Sequence, residues 1–149
     1  MSEWNENNSY VKYDVAQHEF DMHMAISKMA IVNMPRVYYY DQVGQVMYME
    51  RIGHMSVADF YGDAFAAVPD EVIESIRATI RTLYQHGIIY PDITGYNFIH
   101  VHDKIWIVDF EHANFREGLP LVNGHVNFVR EFIGSVNVPP VLTWNSEFR

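Results

Sequence analysis

The chain has 149 residues, 49% hydrophobic and 15% aromatic, which suits one domain with a core of its own, and its 10 basic against 19 acidic side chains leave a net charge of −9. That balance speaks against a sequence-independent grip on nucleic acid or an anionic membrane, and a basic partner surface is tolerated better. The absence of cysteine excludes disulfides and thiolate metal sites; with no apolar leader and no run near the ~18 residues of a membrane span, the expected setting is cytosolic or nuclear rather than secreted.

Met1 to Ser9 reads as a loosely docked arm, and SYVKYDV after it as a short strand with Val11, Tyr13 and Val15 on one side and Lys12 on the other. From Ala16 to Asn33, the residues Phe20, Met24 and Ile31 with Ala16 and Met22 recur at a helical period, with Glu19 in the first turns and Pro35 as the limit. RVYYYD and QVMYMERI flank a turn at Gln42 to Gly44 and predict a hairpin in which Tyr38, Tyr40, Val46 and Tyr48 alternate as half-buried positions. Ser56 caps VADFYGDAF, whose Val57, Phe60 and Tyr61 form one face.

A longer helix starts at Pro69, with Asp70, Glu71 and Glu74 near its positive end and Gly87 as its stop. Its stripe is Val72, Ile73, Ile76, Ile80, Leu83 and Tyr84. GIIYPDITGYN is then a loop, followed by strands NFIHV and KIWIVDF around a turn at His102 to Lys104, with Asp109 ending the second. Beyond Phe115, REGLPLVNG leads to a last helix HVNFVREFIG, and the proline-rich start of VPPVLTWNSEFR is irregular. The order predicts an α+β chain, a small sheet lobe at about 1–50 followed by a mostly helical lobe at about 54–149 in one domain.

Asp92 and Asn97 share one loop and Asp109 follows after a hairpin. Phosphoryl transfer needs these types: an acid to orient the acceptor hydroxyl, an amide and a second acid to hold Mg2+ on the phosphates, and a lysine to hold the phosphates. The structural alternatives are ordinary. Asx residues beside Pro and Gly commonly cap their own loop. Lys12 and Glu19 also read as a solvated strand lysine and a helix N-terminal glutamate. His100 and His102 share a strand face without a third ligand nearby. The Tyr38 to Tyr40 run and the methionines suit packing better than base stacking or partner binding.

GIIYPDITGYNFI resembles the catalytic loop H-R-D-x-x-x-x-N of the protein-kinase-like superfamily, and WIVDFEHA resembles its D-F-G segment. The resemblance covers Tyr10 to about Phe115 and implies a reduced bilobal protein-kinase-like fold using ATP and Mg2+. By it Asp92 is the catalytic acid/base, Asn97 and Asp109 are magnesium ligands, and Lys12 in YVKY is the phosphate lysine with Glu19 as its helix partner. Thr94, two residues after Asp92, and MPRVYYYDQVGQVMYMERIG are similar to compact relatives, the RIO family and the small kinase of the KEOPS tRNA-modification complex, and by that resemblance Thr94 joins the cofactor-binding residues. On that alignment Met49 is the gatekeeper and Glu50 to Ile52 the hinge that reads adenine.

Three departures accompany the match. The sequence has no G-x-G-x-x-G, so cover over the phosphates is expected from the N-terminal arm, from a partner chain, or not at all. Tyr90 and Pro91 stand where the family has His and Arg or His and Gly, and Glu111 replaces the D-F-G glycine. The resemblance therefore implies a minimal serine/threonine protein kinase acting on a protein substrate. The other readings are a pseudokinase that binds nucleotide or protein as a regulatory module and, prompted by D-F-E, a small-molecule phosphotransferase.

Overall fold

The computed structural model describes residues 9–118 and 124–148. The expected arm up to Asn8 and residues 119–123 of the expected loop lie outside the described residues. Strands β1 (Ser9–Lys12), β2 (Val37–Asp41) and β3 (Val46–Glu50) form an antiparallel sheet in the order β1-β3-β2. Helix α1 (Gln17–Met29) joins β1 to β2.

The covered face of this sheet differs from the one the tyrosine alternation predicts. Met47 and Met49 are buried with Val15, under Phe20, Val37 and Tyr40. The hairpin register sets this: Tyr40 pairs with Met47 and Tyr39 with Tyr48, which puts Tyr40 on the methionine face, and an extra residue between Val37 and Tyr39 puts Val37, opposite Met49, on that face as well. Tyr40 then joins the methionines, its ring stacked on Phe20 at 4.4 Å, while Tyr39 and Tyr48 meet on the other face at 5.9 Å.

In β1, Lys12 pairs with Met47, and cross-strand partners share a face. Lys12 is therefore on the methionine side and Val11, opposite Tyr48, on the other as expected, whereas Val15 joins the methionines rather than Val11. The strand ends there, Tyr13 is 68% exposed, and Val15 reaches the core from beyond the strand. On α1 the buried set is Glu19, Met22, His23 and Ile26, so of the expected stripe Met22 is buried, Phe20 and Met24 are half-buried at its edge, and Ala16 is exposed. Two polar residues occupy the buried face because each has a partner: Lys12 for Glu19, and the Pro35 carbonyl for His23 Nε2 at 2.8 Å.

Helix α2 (Val57–Tyr61) is capped by Ser56, which accepts from the Asp59 N–H at 3.1 Å. It buries Val57 and Ala58 with Tyr61 packed on the larger core, and of the expected face only Phe60 departs, 65% exposed, because positions 57, 58 and 61 share the arc that faces inward. Helix α3 (Asp70–Gln85) buries Val72, Ile73, Ile76, Ile80 and Leu83 as its periodicity predicts, and it stops before Gly87 at φ +81°. It also buries Arg77, which donates to the Phe132 carbonyl of helix α4 (Gly124–Ile133) and lies 4.6 Å over that residue's ring.

Between these helices, β4 (Ile88–Ile89) pairs with β7 (Asn114–Phe115), and β5 (Phe98–Val101) with β6 (Lys104–Ile107). The β4–β7 pair falls in segments with no strand signal of their own. Strand β6 stops at Ile107, short of Asp109, because the Val108 N–H turns to the Asn97 carbonyl at 3.2 Å. The larger core takes in α3, α4, strands β4, β5 and β6, and Met22 and Ile26 of α1. Trp144 in the tail is 1% exposed and donates to the Asp63 carbonyl at 3.1 Å. Among the described residues no helix is long and apolar enough to cross a membrane.

Candidate active site

Strand β4 delivers the chain into the loop Pro91 to Asn97, which folds on itself. Ile93 N–H donates to Pro91 O at 2.7 Å, Thr94 N–H to Asp92 O at 3.1 Å, and Asn97 N–H to Thr94 O at 3.2 Å. The Asn97 Nδ2 amide then donates to Asp92 O at 2.8 Å and closes the turn. Asn97 thus does cap its own loop, but through nitrogen only. From outside, Asn145 holds the same loop, Nδ2 to Pro91 O at 2.8 Å and N–H to Ile93 O at 2.9 Å. Gly95 is fixed by space rather than torsion: a Cβ there would sit 3.0 Å from Ala58 Cβ and 3.2 Å from Ala58 N.

Asp109 follows β6 and faces the lysine of the other lobe. Its Oδ1 accepts from the Glu111 N–H at 2.9 Å and lies 3.2 Å from Lys12 Nζ, which also holds the Glu19 carboxylate. Burial works against the charge on Lys12, but Asp109 and Glu19 together outweigh it and hold its pKa above the usual lysine value. Burial raises Glu19, with Lys12 opposing. The proton of the pair therefore stays on the lysine. Tyr90 is buried and donates its hydroxyl to the Asp109 carbonyl. Burial, then Asp109 and Asp92, push that phenol well up, so it remains a donor. His18 on α1 bonds the Ala113 carbonyl at 2.8 Å, tying the helix to the segment after Asp109.

A cavity of about 390 Å³ opens between the lobes, and Lys12, Asn97, Asp109, Met49, Glu50 and Ile52 are among the residues that line it. Ile99, Val108 and Pro35 give it apolar wall. Six residues singled out from sequence thus share one cavity. Three others do not line it. Glu19 reaches the site only through Lys12, and Thr94 is 4% exposed within its loop. Asp92 is 8% exposed and its carboxylate is raised, by burial first, with His112 opposing and Asp109 adding to the rise. His112 Nδ1 lies 3.0 Å from Asp92 Oδ2. Sequence reasoning missed His112, since the family pattern stops at D-F-E and nothing local links positions twenty residues apart.

The donor set suits a hard divalent cation. With its nitrogen engaged by the Asp92 carbonyl, Asn97 has Oδ1 left to offer, and Asp109 offers a carboxylate at the same cavity. Among the described residues no group of three or more His, Cys, Asp or Glu forms an all-protein metal site. A magnesium ion that keeps waters and takes phosphate oxygens needs only one or two protein ligands, so these residues fit it.

A family model for the RIO domain matches residues 1–115. Among solved structures, the chain is similar to the kinase PK-1 of Cydia pomonella granulovirus, at 14% identity and a TM-score of 0.52, over 72% of this chain. The chain spans 42% of the length of that viral kinase. At that identity the likeness shows the fold, a reduced protein-kinase-like architecture. The match over residues 1–115 shows the family. The chain belongs to the RIO domain family of atypical protein kinases.

Proposed function

We propose that the chain transfers the γ-phosphoryl group of Mg-ATP to serine or threonine hydroxyls of a protein, as a single kinase-like domain with its lobe boundary near residues 50–54. The observation that carries this reading is the shared cavity, which Lys12, Asn97 and Asp109 line together with the Met49 to Ile52 segment. A lysine, an amide and a carboxylate in one cleft are the charges a triphosphate with its cation requires.

In this reading Lys12, held by Glu19, binds phosphate oxygens, and Asn97 with Asp109 holds Mg2+, which neutralises charge developing on the phosphates. Met49 backs the adenine, and backbone from Glu50 to Ile52 bonds its edge. Thr94 holds the Asp92 loop in shape from its buried position. Asp92 orients the acceptor hydroxyl in line and receives its proton, a task suited to a carboxylate whose pKa burial has raised. The test is transfer from labelled Mg-ATP to casein by the wild-type chain and by Asp92→Ala. Transfer abolished by D92A with the melting curve retained is expected. Equal transfer by both removes the assignment.

A second reading, a pseudokinase that binds nucleotide or protein as a regulatory module, draws on the Lys12–Asp109 contact of 3.2 Å, which lets the two charges satisfy each other. It predicts a thermal shift with Mg-ATP and no transfer.

A further inference from the structure

His112 belongs to no motif that the family pattern assigns, yet it touches the carboxylate at the centre of the reading above. With Asp92 ionised, its carboxylate only accepts, so the 3.0 Å contact puts a hydrogen on His112 Nδ1, directed at Asp92 Oδ2. The side chain of Asp92 is 11% exposed and that of His112 39%, so the bond is shielded on the acid's side and open on the other.

The imidazole is itself held. Its ring lies 4.7 Å from that of Phe148, which in turn is 5.3 Å from the ring of His125 on α4. Phe148 closes a short turn by donating its N–H to Asn145 O at 3.1 Å, and Asn145 is the residue that grips Pro91 and Ile93 on either side of Asp92. His112's own backbone is bracketed by the Glu111 N–H bond to Asp109 and the His18 bond to Ala113. One continuous set of contacts therefore runs from the C-terminal turn to both sides of Asp92.

A carboxylate that aims a hydroxyl in line must hold one oxygen still while the other receives the proton, and small misplacements cost about 10²-fold in rate. We propose that His112, clamped by Phe148, is the positioning residue for Asp92, fixing Oδ2 and leaving Oδ1 to the acceptor hydroxyl, so that the turn at 146–148 is part of the catalytic apparatus. This rests on the kinase reading. It goes beyond that reading by giving a role to His112 and to the C-terminal turn.

The experiment measures kcat and KM for ATP with casein as acceptor, in wild type, His112→Ala, His112→Asn and Phe148→Ala, with circular-dichroism melts alongside. H112A should lose about 10²-fold in kcat with KM for ATP unchanged. H112N, whose amide nitrogen can stand where Nδ1 does, should recover part of the loss, and F148A should fall between. A second readout needs no turnover: the long-range proton–nitrogen spectrum of the wild-type imidazoles should show His112 carrying hydrogen on Nδ1, and Asp92→Ala should remove that preference. Wild-type kcat in a folded H112A overturns the proposal while leaving the kinase reading intact. So does a wild-type His112 without Nδ1–H, should H112A not fold. A wild-type chain with no transfer under any condition removes the kinase reading and the proposal together.

Discussion

Lys12 Nζ lies 3.2 Å from Asp109 Oδ1 and also holds Glu19, so one ammonium joins the sheet lobe, α1 and the segment after β6. Its two acids differ in surroundings. The Glu19 side chain is 4% exposed and that of Asp109 24%. Glu19 therefore depends on the lysine for its charge, whereas Asp109 has water as an alternative partner.

Replacing Lys12 with Met should destabilise the fold by about 1–3 kcal/mol, because Glu19 is left buried without its cation. The loss should shrink as pH falls and Glu19 takes up a proton. Adding Glu19→Gln should restore much of the stability without restoring nucleotide binding. Urea midpoints of the single and double variants, read beside Mg-ATP thermal shifts, check both halves; equal midpoints for wild type and K12M would remove the argument.

Gly95→Ala should destabilise by about 1–3 kcal/mol and weaken transfer, since its new Cβ meets Ala58 backbone as well as side chain and must push the Asp92 loop or α2 away. Ala58→Gly in the same chain should recover only part, as it removes the 3.0 Å contact but not the one at 3.2 Å to nitrogen. Thermal denaturation of the two variants measures this.

His23 predicts an acid-side loss of stability. Burial holds its pKa below the usual 6.5, with its bond to Pro35 opposing. Above 6.5 the histidine is neutral in both states and its contribution is fully present. As pH falls from there through the lowered folded value, the unfolded chain binds the proton first, and stability drops by up to about 1.4 kcal/mol per pH unit. His23→Gln should flatten that part of the curve in urea titrations between pH 7.5 and 5.

Trp144→Ala should cost about 3–5 kcal/mol as a large buried ring is removed. It should also lower transfer, because the neighbouring Asn145 grips the Asp92 loop through Pro91 O and Ile93 O. A variant as stable as wild type by urea denaturation would show that the tail does not hold the loop.

The α3 helix and the two hairpins were legible in sequence because their signals are local: apolar spacing, a proline start, a glycine stop. The Asp92 to Asp109 stretch was legible because its acids and amide fall within one short run. Other features depend on contacts that spacing cannot encode. Glu19 and His23 sit on the buried face of α1 because distant partners satisfy them, so a purely apolar stripe left them out. The hairpin register pairs Tyr40 with Met47 and so splits Tyr40 from Tyr48, and an extra residue in β2 brings Val37 to the methionine face. The pairs Ile88–Ile89 with Asn114–Phe115 are too short to carry a strand period. His112 and the tail residues Trp144 and Asn145 act on the loop from far along the chain, and no local pattern announced them.

The most direct measurement is thermal stability against Mg-ATP concentration for wild type and Asp109→Asn, side by side. A ligand at a hundred times its dissociation constant stabilises by about 2.7 kcal/mol. The cavity formed by Lys12, Asn97 and Asp109 predicts a saturable rise in melting temperature for wild type that requires Mg2+ and is lost in D109N. No rise in wild type at millimolar Mg-ATP, or an equal rise in both, would contradict it.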